Sequence, residues 1–258
     1  MKKKLIVIVA LVLLLALGVT GYFYYHNKNT KSTTSVTVVK KSSTTQVQTS
    51  TFNKNQYSLT DPSSIWVIVN KQHPLNPLSY VPSDLVVPNV PLRVPGNETM
   101  QIRAVTATAL EQMFTDAKAQ GIDLMLSSGY RSYSYQVSLY NGYVQSQGQA
   151  TADQQSARPG YSEHQTGFAV DVEPVSKNCE LEQCFGTTPE GKWVAANAYK
   201  YGFIVRYTTG NQSITGYEPE PWHIRYIGVP LATELHNTGI QTLEQFFGVS
   251  GGTVYKSL

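Results

Sequence analysis

The stretch Ser162-Glu163-His164-Gln165-Thr166-Gly167-Phe168-Ala169-Val170-Asp171 sets a carboxylate inside what otherwise reads as a core strand. Phe168, Val170 and Val172 alternate, as on the buried face of a pleated strand, so Asp171 shares the opposite face with Ala169. A carboxylate beside so small a neighbour leaves room for something to bind. His164 lies seven residues earlier, across Gly167, whose backbone freedom can turn the chain so that both side chains converge.

A second stretch has the same character: Tyr217-Glu218-Pro219-Glu220-Pro221-Trp222-His223-Ile224-Arg225-Tyr226. Alternation puts His223 and Arg225 on one face and Trp222, Ile224 and Tyr226 on the other. Glu220, just ahead of this strand, can reach around to the His223 side. Two His and one Asp suit Zn²⁺, and three protein ligands leave a fourth tetrahedral position for water, the pattern of a catalytic site. Zinc lowers the pKa of its water to roughly 7, and a carboxylate such as Glu220 can take the proton. The competing reading is plainer: an isolated His in a strand is usually a hydrogen-bonded core residue.

Outward from these segments, the pattern mixes helices and strands without regular alternation or a glycine-rich phosphate loop. Ser64–Asn70 is apolar and β-rich, and six prolines between Pro74 and Pro95 predict an extended surface run. Ile102–Gln120 carries apolar residues at three- and four-residue spacing and ends at Gly121, a helix with its stop. Ile122–Ser127 reads as a strand and Ser134–Gln147 as a helix. Thr187 or Thr188 caps a further helix opened by Pro189 and ended by Gly202, then Phe203–Tyr207 and Trp222–Tyr226 read as strands. Leu231–His236 and Leu243–Phe247 are short helices. The sum is an α+β domain with a small, mainly antiparallel sheet and flanking helices.

The first 55 residues read differently. Lys2, Lys3 and Lys4 precede an uncharged run of 21 residues, Leu5–Tyr25, long enough as a helix to span a roughly 30 Å hydrocarbon core. The lysines predict a cytoplasmic N-terminal side, and the aromatic cluster Tyr22–Tyr25 an outer-interface belt. Residues 1–26 are therefore expected to be a single membrane anchor, with a cleaved signal segment as the alternative. Residues 27–55, rich in Ser, Thr and Lys, read as a linker, and 56–258 as the extracytoplasmic domain. Residues 1–54 hold 8 Lys and no acidic residue, leaving 12 Lys+Arg against 17 Asp+Glu beyond them. The folded part is thus acidic, net −5, so the basic pI gives no ground for a nucleic-acid reading, and no nucleic-acid partner is expected. In an oxidising compartment Cys179 and Cys184, the only cysteines, are expected to close a short loop as a disulfide.

The two histidine-bearing segments resemble the Ser-x-His-x-x-Gly-x-Ala-x-Asp and Glu-x-Trp-His signatures of the zinc D-alanyl-D-alanine carboxypeptidases of the VanY type. The likeness extends to Val69-Asn70-Lys71, Pro74-Leu75, Tyr80-Val81-Pro82, Ser128-Gly129-Tyr130-Arg131-Ser132 and Ala157-Arg158-Pro159-Gly160-Tyr161, covering roughly residues 60–230. Carried over by position, it implies His164, Asp171 and His223 as zinc ligands and Glu220 as catalytic base; Glu218 does not occupy the Glu-x-Trp-His position. Arg131 matches the family's arginine, and its planar fork suits a substrate's terminal carboxylate. Ser162, Tyr130 and Gln136 are further candidates for hydrogen bonds to the peptide. The resemblance implies a D,D-carboxypeptidase that trims a terminal D-alanine from peptidoglycan stem peptides. An L,D-carboxypeptidase acting on tetrapeptide stems shares the zinc machinery, and a non-catalytic cell-wall binding module is the reading from another class.

Overall fold

Period-two alternation builds the strands where the sequence places them, and their two faces are chemically unlike. The structure, a computed structural model, describes residues 52–256, all within a unit spanning Thr51–Leu258. The membrane helix expected at 5–25, and all but the end of the linker, lie outside these residues. Among the described residues no helix is long and apolar enough to cross a membrane.

Four strands, β3 (Leu124–Ser128), β4 (Ala169–Pro174), β5 (Phe203–Tyr207) and β6 (Glu220–Tyr226), form an antiparallel sheet in the order β3-β4-β6-β5. A separate two-stranded ribbon pairs β1 (Leu85–Val86) with β2 (Ile102–Arg103). Helix α1 (Ala104–Ala119) sends Leu110, Met113, Phe114 and Ala117 into a core shared with Leu124, Leu126, Val170, Val172 and Ile224 of the sheet. Helix α4 (Pro189–Asn197) closes the same core with Trp193 and Val194; Thr188 caps it by accepting from the Gly191 N–H, and Pro189 opens it. The chain remains helical to Tyr201 as a 3₁₀ turn, and Gly202, at φ 85°, ends it.

The other face of β4, β5 and β6 carries Asp171, Arg206, His223 and Arg225, all buried. A 3₁₀ turn, Glu163–Thr166, covers this polar layer instead of solvent. A second apolar cluster lies beyond, where Trp66 and Ile68 pack on helices α6 (Val229–Thr238) and α7 (Leu243–Phe247). Helices α2 (Tyr133–Gln147) and α3 (Gln149–Gln155) pack against each other, α2 capped by Ser132, and α5 (Gln212–Thr215) is a single turn. Cys179 and Cys184 are joined, with Cα atoms 5.5 Å apart.

Two expectations change. Within Ser64–Asn70, Trp66–Asn70 is buried, but the segment pairs with no strand of the sheet, because the carbonyls of Ile65 and Val67 accept from the Arg225 guanidinium at 3.1 and 2.9 Å. Those backbone acceptors are satisfied by a side chain and need no ladder. The helix expected from Ile102 starts two residues later, since Ile102 and Arg103 pair with Val86 and Leu85.

Candidate active site

Asp171 and His223 are directly opposed residues of β4 and β6. His164 reaches them from the 3₁₀ turn, whose C-cap, Gly167, adopts φ 70° and bends the chain into β4. Any side chain there would be strained, and a Cβ would meet Arg103 Cγ at 2.8 Å. The glycine is what lets a residue seven positions upstream share a site with Asp171.

Asp171 Oδ1 lies 3.1 Å from His223 Nδ1, and Asp171 Oδ2 lies 3.3 Å from His164 Nε2. One ligand atom from each of the three residues falls within 4.8 Å of the others. Atoms bound tetrahedrally at roughly 2.0–2.1 Å stand about 3.3–3.4 Å apart, so the two Asp171–histidine separations suit a single zinc ion. Asp171 Oδ1 is buried and makes no hydrogen bond among the described residues, which suits an oxygen that would ligate a cation. His164 donates from Nδ1 to the Gly129 carbonyl at 2.7 Å, which leaves the Nε2 lone pair aimed at the cluster.

Glu220, the first residue of β6, has Oε2 3.6 Å from His223 Nδ1. Its side chain is 16% exposed, against 4% for either histidine and 3% for Asp171, so it is the member that meets the cleft. Arg131 stands at the same mouth. Its Nη2 donates to Asp171 Oδ2 at 2.8 Å and to His164 Nε2 at 3.0 Å, while Nε donates to Ser128 Oγ at 3.0 Å. The site opens into a cleft of about 710 Å³, walled by Tyr135 and Tyr143 of α2, Glu182 of the disulfide loop, Glu218 and Trp222.

Burial and charge set these groups apart. Burial, then the Arg131 guanidinium, pushes His164 down to about 4, so it is neutral and ready to ligate. Burial also opposes the cation at His223, but the Asp171 and Glu163 carboxylates outweigh it and push His223 up to about 9. Asp171 stays well below the usual carboxylate range against its burial, held by His164, His223 and Arg131. Burial pushes Glu220 up to about 7, close to the value a base needs at neutral pH.

The structure therefore brings His164, Asp171, His223, Glu220 and Arg131 together, with Ser162 on the cleft wall. It does not bring Tyr130 or Gln136 there. Tyr130 is buried, and the fully buried Gln136 amide donates to Ser156 Oγ and the Ala157 carbonyl, tying α2 to the segment after α3. Arg225 braces the site from behind by binding Glu163 at 2.8 Å. Glu163 itself was not singled out by spacing, since its partners come from three distant stretches.

A family of D-alanyl-D-alanine carboxypeptidases, VanY, matches residues 99–229, half of the chain. The chain belongs to the VanY family. YodJ of Bacillus subtilis is 44% identical to this VanY-family chain over 191 residues, 74% of this chain and 69% of that protein. The LdcB LD-carboxypeptidase structure is 44% identical, with a TM-score of 0.69 over 74% of this chain and 89% of that one. A mutant of the VanY D,D-pentapeptidase from the VanB-type resistance cassette, in complex with Zn(II), is 30% identical, with a TM-score of 0.56 over 70% and 97%. This VanY-family member is a zinc-dependent carboxypeptidase, a hydrolase of the cell wall, and the His164, Asp171 and His223 cluster suits its ion.

Proposed function

We propose that the chain releases a C-terminal D-alanine from peptidoglycan stem peptides, with His164, Asp171 and His223 holding zinc, Glu220 as base and Arg131 as carboxylate anchor. The observation that carries this reading is the convergence of three ligand atoms beside a partly open glutamate at the floor of one cleft. Zinc held there supplies Lewis acidity toward the scissile carbonyl and acidifies water. Glu220 takes a proton from water at the cleft side of His223 and returns it to the departing amine, which a carboxylate near neutrality does in both directions. Arg131, steadied through Ser128, offers its fork to the carboxylate that marks a peptide's end.

Two bonds fit that chemistry. The D,D reading, a pentapeptide losing its last residue, is supported by the family description and the VanY pentapeptidase likeness. The L,D reading, a tetrapeptide losing its D-alanine, is supported by the 44% identity to LdcB against 30% to that pentapeptidase, and we favour it on that difference. Mass spectrometry of defined tetrapeptide and pentapeptide muropeptides, with and without a chelator, tests both. D-alanine released from neither substrate, or released undiminished after chelation, would overturn the proposal. We further propose that residues 1–26 anchor the chain and that 56–258 work outside the cytoplasm, from the lysine-flanked apolar run alone. Protease accessibility of the domain in intact spheroplasts checks this.

A further inference from the structure

Glu163 precedes His164 in sequence, yet its side chain runs beneath the sheet face to the far side of His223. It is 2% exposed. Its Oε1 accepts from Arg206 Nε at 2.9 Å and from Arg225 Nη1 at 2.8 Å. The remaining nitrogens of those arginines are engaged elsewhere. Arg206 forks onto both Glu244 oxygens at 2.9 and 2.6 Å, and Arg225 Nη2 binds the Ile65 and Val67 carbonyls. Glu163 Oε1 is thus saturated and its direction fixed.

Of the buried polar atoms without a hydrogen bond among the described residues, two, Glu163 Oε2 and His223 Nε2, face each other at 3.5 Å. Buried polar groups are rarely left unpaired, and here a small approach of one ring satisfies both partners. We propose that Glu163 is the positioning residue that holds His223 as the Nε2–H tautomer, so that Nδ1 presents its lone pair to the metal. The proposal rests on the zinc reading of the site. It makes the two histidines mirror images in chemistry: His164 ligates through Nε2 with its Nδ1–H on the Gly129 carbonyl, and His223 ligates through Nδ1 with its Nε2–H on Glu163. A neighbour on the outer nitrogen fixes tautomer and ring orientation of a ligating histidine.

The plainer role for Glu163 is to neutralise two buried arginines. The two roles diverge at Glu163→Gln. Guanidinium groups only donate, so the new amide must turn its oxygen to Arg206 and Arg225 and its NH₂ to His223. His223 Nε2 must then accept, and the ring proton moves to Nδ1, the atom aimed at Asp171. Glu244→Gln disturbs the same arginine lattice without touching His223, and so reports the structural role alone.

The experiment measures zinc affinity by chelator competition for wild type, Glu163→Gln and Glu244→Gln, together with long-range ¹H–¹⁵N NMR of the histidine rings. The expected result is a 10- to 100-fold weaker zinc affinity for Glu163→Gln, the usual loss when a ligand's outer partner is removed, and less than about threefold for Glu244→Gln. The zinc-loaded wild type should show a slowly exchanging proton on His223 Nε2. Wild-type affinity in Glu163→Gln, equal losses in both variants, or ligation of the wild-type ring through Nε2 would each overturn the proposal. The wild-type spectrum needs no variant to fold. A wild type that binds no zinc would instead overturn the metal reading beneath it.

Discussion

Glu220 is the residue whose environment and position agree most closely with a task. It borders the cleft, its Oε2 lies 3.6 Å from His223 Nδ1, and burial pushes it up to about 7. Glu220→Gln should therefore keep zinc and fold while lowering turnover about 10²- to 10⁴-fold, read as D-alanine release beside metal content and circular dichroism. His223 yields a second expectation. In the metal-free protein it is protonated up to about pH 9, whereas His164 is already neutral above about 4. Zinc must displace the His223 proton, so affinity should rise with pH, by about tenfold per unit below 9, and level off above it. Calorimetry in buffers of different ionisation enthalpy should find about one proton released per ion at neutral pH. At this scale the proposed strand-borne ligands, Asp171 and His223, were legible because a strand's period of two exposes any polar residue set among apolar ones. Glu163 was not, because its meaning lies in Arg206, Arg225 and His223, which only folding assembles.

Among the elements, the strands of the sheet were readable and the segments around them less so. Phe168–Val172 and Trp222–Tyr226 carry their alternation openly, and the register sets Asp171 against His223. Ser64–Asn70 has the composition of a strand but finds a guanidinium in place of a neighbouring strand, a long-range event no local pattern encodes. The turn from β3 into α2 shows how backbone placement serves the site. The Gly129 N–H donates to the Thr99 carbonyl at 2.6 Å and its own carbonyl orients His164, and an added Cβ would collide with the Gln101 carbonyl and Ile102 Cγ2. Gly129→Ala should thus cost about 1–3 kcal/mol in stability through overpacking and weaken zinc binding by moving the carbonyl. Thermal melts with and without zinc separate the two effects: the gap between them should shrink in the variant.

For the molecule as a whole, the segment 250–256 laces the ligand-bearing stretches to one another. Tyr255 Oη accepts from the Arg158 N–H at 3.0 Å, its ring packs edge-on against Tyr161 at 5.0 Å, and the Lys256 N–H donates to the Lys71 carbonyl. Lys71 in turn is buried and donates to the Asp153 and Gly216 carbonyls, joining the approaches to His164 and His223. Tyr255→Ala should destabilise by about 2–3 kcal/mol and lower the affinity for zinc less than it lowers the denaturation midpoint, as measured by urea unfolding of the loaded and metal-free forms. The cross-strand pairing of Asp171 with His223 also governs how such a protein can change in length. One residue gained or lost inside β4 would turn Asp171, and inside β6 His223, to the opposite face and put an apolar neighbour in its place while leaving the ladder able to form. Such a frame-slipped protein would remain compact and chemically mute, whereas the cleft's bordering loops can lengthen without disturbing that pairing. New substrate preferences in this scaffold are therefore open to indels at the rim and closed to them in the plate.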